Sequence, residues 1–222
     1  MQMPDPRLKA LAAAFAPEHE LAAQLLPLVI VSDDGSHDAA HLIRVWKNVL
    51  RIRRGEGGNV RVLAAATLLH DCVAVEKNAP NRADASRLAA ERAYEVLDQL
   101  GWRSSDMMAV AHAVLAHSFS AGIPPETLEA KILQDADRLD ALGMVGAARC
   151  FYIAGRFGSG LYDPLDPMAR ARPLDDKAFA LDHFETKLFK LADGFQTGTG
   201  RKLAQERHER LGLIRELLLD EI

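Results

Sequence analysis

Apolar residues recur along this chain at intervals of three and four almost from end to end. Leu88, Ala89, Ala93, Val96, Leu97 and Leu100 make one face, with Gly101 just beyond as a stop signal. Met107, Met108, Val110, Ala111, Val114 and Leu115 make a second face, and Leu203, Leu211, Ile214, Leu217 and Leu218 a third. No segment alternates convincingly at period two between turn signals. The pattern predicts an all-α fold, with roughly eight to ten helices around one core.

The polar breaks divide the pattern. "RRGEGGN" (Arg53 to Asn59) separates two early helices, and "KNAPNRAD" (Lys77 to Asp84) is a loop opening a helix near Ala83. "FGSGLYDPLDP" (Phe157 to Pro167) reads as the longest loop. No repeat or low-complexity tract appears. The expected organisation is a single domain over residues 1–222, with its core at about 20–200 and a C-terminal helix, 201–222, packed on it. The apolar stripe of that last helix suits internal packing or a second copy of the chain; a homodimer is favoured.

Charge changes this picture little. A formal charge of -4 gives no basic footprint, so no stable nucleic-acid partner is expected. Cys72 and Cys150 lie far apart and read as reduced thiols. The N-terminus has no basic region followed by a long apolar run, and no stretch approaches the length of a bilayer span, so the expected compartment is the cytoplasm without a membrane partner.

Four polar constellations interrupt the apolar faces. In "SHDAAHLIRVW", Ser36 suits the cap of a helix beginning at His37, with Asp38 in its positive first turn and His41 on the inward face. His70-Asp71 follows the apolar run Leu63 to Leu69. Asp135, Asp137 and Asp140 sit in "KILQDADRLDALG", and His112 and His117 in "AHAVLAHSFS". Taken singly, each has an ordinary reading: a satisfied core histidine, or a solvated or capping aspartate. Together, two buried imidazoles and two buried carboxylates need partners, and one divalent cation satisfies them at once. Mixed nitrogen and oxygen ligands suit Mn, Fe, Co, Ni, Zn or Mg.

The order H…HD…D resembles the HD-domain superfamily of metal-dependent phosphohydrolases. The segments "SHDAAHLIRVW", "LLHDCV", "AHSFSAG", "KILQDADRLDALGMVGAAR", "LYDP", "HFETKLFKLADGFQTGTGR" and "LAQERH" are similar to its small stand-alone bacterial subgroup, from about Ser36 to the C-terminus. The resemblance implies a helical HD-domain bundle with a metal site at its centre. Its metal ligands would be His41, His70, Asp71 and Asp137, and manganese is the favoured ion. It implies hydrolysis of a phosphorylated small molecule, a nucleotide, with pyrophosphohydrolysis of (deoxy)nucleoside triphosphates ahead of a phosphodiesterase. A regulatory module that binds nucleotide or metal without turnover is the alternative from another class.

Within that frame Asp71 also orients the attacking water. Lys77 and Arg82, in the loop after the HD pair, and Arg138, beside Asp137, are candidate phosphate cations. Glu76 is a candidate general base, and His117 a candidate phosphate contact. His37 reads as a residue of the helix start or a hydrogen-bonding neighbour of the ligands, and His112 as support or core. Phe119, Phe157 and Tyr162 are candidate walls for a base.

Overall fold

The computed structural model describes residues 6–29, 38–73 and 84–222. Among these the regular structure is helical: ten α-helices, short 3-10 turns, and a single isolated bridge between Gly160 and Phe179. The chain forms two compact units, residues 1–137 and 138–222.

The first unit holds α1 (Pro6–Ala13), α2 (His19–Leu25), α3 (Ala39–Glu56), α4 (Val60–Leu69), α5 (Ala85–Gln99), α6 (Ser104–Ala116) and most of α7 (Leu128–Leu139). Asp38 caps α3, its carboxylate accepting the His41 amide at 2.9 Å. The cap thus falls on Asp38, and not on Ser36 as the sequence pattern suggested; a carboxylate meets the free amides and the positive helix end together. Gly57 and Gly58 take positive φ values, 85° and 98°, and turn the chain into α4. The Asn59 side chain caps that helix by accepting the amides of Arg61 and Val62. From Val62 to Leu69 every α4 residue is buried, and the helix packs against α2, α3 and α6. Burial of Leu63, Leu68 and Leu69 contributes roughly 2 kcal/mol apiece. The next helix starts at Ala85, two residues later than the pattern predicts, and lies along α6.

The second unit holds α8 (Gly143–Phe157), α9 (Ala180–Thr186) and α10 (Gly198–Asp220), with α10 packed on α8. Gly146 is required where it stands, since a Cβ there would lie 2.2 Å from the Ala141 carbonyl oxygen. In α10, Leu211 is buried whereas Leu217 is exposed. No helix of the described residues is long and apolar enough to cross a membrane.

Candidate metal centre

The pair His70-Asp71 stands at the end of α4, directly after its last residue, Leu69. His70 is the C-cap residue, and its Nδ1–H donates to the Thr67 carbonyl at 2.8 Å. That bond leaves the Nε2 lone pair pointing outward. Burial holds the His70 imidazole below its ordinary pKa; Asp71 and Asp137 act in the opposite sense, and the rings of His117 and His41 add to the lowering. His70 is therefore a neutral acceptor at pH 7.

His117 repeats the arrangement one helix away. It caps α6, and its Nδ1–H donates to the Val114 carbonyl at 2.6 Å. The two rings meet edge to face with centroids 5.0 Å apart. α6 ends at Ala116, and His117, its C-cap, still has right-handed helical backbone angles, so His112, five residues earlier, faces another side of the helix. His112 instead accepts the backbone amide of Glu126 at 3.0 Å and secures the approach to α7.

His41 arrives from the first turn of α3, on the inner face it shares with Val45, Asn48 and Ile52. Asp137 arrives from the last turn of α7. The Nε2 atoms of His41 and His70 are 3.3 Å apart. An Asp137 carboxylate oxygen lies 3.4 Å from His41 Nε2 and 3.9 Å from His70 Nε2. Asp71 Oδ2 lies 3.4 Å from His70 Nε2 and 3.9 Å from His41 Nε2, while Oδ1 faces His117 Nε2 at 3.7 Å.

These residues fit a cation. Ligand atoms about 2.1 Å from one ion stand roughly 3.0 to 3.4 Å apart, close to the separations found. Ligand atoms of His41, His70 and Asp71 all fall within 4.8 Å of one another. Ring nitrogens approaching ring nitrogens and carboxylate oxygens form a set of acceptors, which a divalent ion unites. The C-terminal ends of α4, α6 and α7 carry His70, His117 and Asp137, and their partial negative charge favours a cation as well. The imidazoles of His41 and His70 are buried, whereas the Asp71 side chain is 37 % exposed, so the carboxylate side of the cluster is the open one.

Other residues singled out from the pattern have different places. Arg138 is buried, but its guanidinium donates to the carbonyls of Gly194 and Asp193 and lies 5.0 Å from the Phe195 ring centroid. Backbone carbonyls and an aromatic face occupy it, which gives it a structural tie within the second unit in place of the expected phosphate contact. Asp140 pairs with Arg149 at 3.0 Å. Phe119 is half exposed in the turn after His117, and Phe157 is 72 % exposed. His37, Glu76, Lys77 and Arg82 lie outside the described residues. Sequence reasoning passed over Thr67, Asn48 and Gln134, three buried polar residues whose signal was a polar side chain on an apolar face.

The family model of the HD domain matches residues 38–142. The Bacillus subtilis protein YpgQ is 33 % identical over 197 residues, which cover 86 % of this chain and 88 % of that protein. The crystal structure of YpgQ in complex with ADP superposes with a TM-score of 0.65 at 34 % identity, over 84 % of this chain and 87 % of that one. An HD-superfamily hydrolase from Bacillus thuringiensis aligns with a TM-score of 0.66 at 27 % identity, over 97 % of this chain and 96 % of its own.

Proposed function

This chain belongs to the HD-domain family and is a hydrolase of that superfamily, and from that premise we propose that it hydrolyses nucleotides, cleaving (deoxy)nucleoside triphosphates to a monophosphate and pyrophosphate. The observation that carries the reading is the convergence of His41, His70 and Asp71, whose ligand atoms all lie within 4.8 Å of one another, with an Asp137 oxygen 3.4 Å from His41 Nε2. The binding of ADP by the B. subtilis relative supports a nucleotide as the substrate class.

His41, His70, Asp71 and Asp137 would hold the divalent cation, with manganese the favoured ion. Such a cation, when bound, polarises a phosphoryl oxygen and makes hydroxide available near neutral pH. His70 is ready as a ligand because its proton already sits on Nδ1, against Thr67. Asp71 divides its two oxygens between the imidazole pair and His117, and so can orient an attacking water on the open side. His117, its Nδ1–H held by the Val114 carbonyl, presents Nε2 on the Asp71 side and serves as the phosphate contact. Lys77 and Arg82 add positive charge toward the phosphates and Glu76 serves as a general base; these three assignments rest on their place in the chain directly after the HD pair.

The test is product analysis. Metal-stripped protein, resupplied with Mn²⁺, is incubated with a panel of nucleoside triphosphates, diphosphates, monophosphates and cyclic or linear diesters. Pyrophosphate from triphosphates is the expected result. Opening of a diester, or orthophosphate from monophosphates, would keep the site and replace the substrate. Tight metal binding without any turnover would overturn the catalytic reading.

A further inference from the structure

We infer that Asn48 and Gln134 are positioning residues for the metal centre, each orienting the peptide group that carries one cluster residue. The inference rests on the reading of that cluster as a metal site. An α-helix leaves its last four carbonyls without partners inside the helix. The carbonyl of Ala116, the last residue of α6, is of this kind, and that of Ala136 lies in the last turn of α7. Both alanines are fully buried, so their carbonyls need a partner from the protein. Each receives a buried side-chain amide: Asn48 Nδ2 donates to Ala136 O at 2.9 Å, and Gln134 Nε2 donates to Ala116 O at 2.7 Å.

The residue after Ala136 is Asp137, and the residue after Ala116 is His117. A peptide group is planar, so holding the carbonyl of one residue also holds the amide and Cα of the next. The two amides thus act on the backbone from which Asp137 and His117 project. Their own origins tighten the coupling. Asn48 lies on the same inner face of α3 as His41, so His41 and Asp137 share one scaffold. Gln134 lies on α7 one turn before Asp137, so His117 is indexed to the same helix. A donor that only satisfied a core carbonyl could stand anywhere along these helices; both stand one residue ahead of the cluster.

The two residues serve different members, and that separates their effects. Asn48→Leu removes the donor beside a metal ligand, whereas Gln134→Met removes the donor beside His117. The wild-type protein, stripped of metal, is titrated with Co²⁺ and followed by calorimetry and by its visible absorption. Asn48→Leu is expected to weaken Co²⁺ binding by about 10- to 100-fold and to shift the absorption bands. Gln134→Met is expected to leave Co²⁺ affinity within about threefold, while the His117 imidazole cross-peaks move in spectra of ¹⁵N-histidine-labelled protein. If Asn48→Leu does not fold, Asn48→Ser, which is smaller and leaves room for a water, is measured in the same way. Lowered melting temperatures with unchanged Co²⁺ affinity, absorption and His117 resonances would overturn the inference and leave both amides as core residues. A wild-type protein that takes up no Co²⁺ would overturn the metal reading itself, and this inference with it.

Discussion

Each of the two units contains a cluster of charged or titratable groups with buried members, and the two solve the same electrostatic problem differently. In the second unit, buried Asp182 receives Arg172 through paired bonds of 2.6 and 2.9 Å, together with the Asp175 amide at 2.7 Å. Arg172 also pairs with Asp163 at 3.1 Å and lies over the Phe179 ring. Its counter-charge is built into the chain. In the first unit, His41, His70, Asp71 and Asp137 meet as acceptors, with the ring nitrogens of the two histidines 3.3 Å apart. Such a set is completed by a cation. The comparison teaches that a buried carboxylate with its own arginine is architecture, while carboxylates gathered around imidazoles are the candidate site.

The largest effect separating the two clusters is expected from Asp71→Ala. It should reduce hydrolysis more than 1000-fold, about 4 kcal/mol of barrier, with the helical far-UV signal retained. Unchanged activity would end the metal-centre reading. Asp182→Ala should do the reverse, lowering the melting temperature by several degrees while activity per folded molecule holds, because it removes the buried carboxylate that accepts from Arg172 and the Asp175 amide. Loss of turnover in the folded Asp182 variant would mean that the second cluster is more than architecture.

A smaller effect is expected from His117→Ala. Metal content should remain that of the wild type while kcat/KM falls by about 10- to 100-fold, as for loss of a phosphate contact; loss of the metal would instead make His117 a ligand. Smaller again is an acid-stability difference. Burial pushes the Asp182 carboxyl up, but the bonds from Arg172 and the Asp175 amide more than offset it, so its folded pKa lies below the ordinary value. Its contribution is therefore fully present above about pH 4, the unfolded value, and is lost as pH falls through the folded one. Thermal melts of wild type and Asp182→Asn should converge as pH is lowered below 4; curves that stay parallel would refute the pairing.

Much of this was legible in the residues. The face from Leu88 to Leu100 with Gly101 behind it is α5, and the face from Met107 to Leu115 is α6. His41, His70, Asp71 and Asp137 stood out as polar positions on apolar faces, and they converge. Other features were hidden because they depend on where a helix stops. His112 and His117, five residues apart, look alike in the sequence, but His117, the C-cap of α6, faces Asp71 while His112 bonds the Glu126 amide. Arg138 looked like a phosphate cation through its nearness to Asp137, yet neighbours in sequence on a helix point to different sides. Asn48 and Gln134 showed only as polar residues on apolar faces, because their partners are backbone carbonyls on other helices, which leave no mark in side-chain patterns.

The sequence by itself determined the all-helical class and marked candidate metal ligands, because periodicity and side-chain chemistry are local properties. Only the tertiary structure decided which nitrogen each histidine offers, that helix ends rather than helix faces present His70 and His117, and which buried polar groups support them. Those outcomes depend on hydrogen bonds to particular carbonyls, and a carbonyl becomes available only once the fold has set where each helix ends.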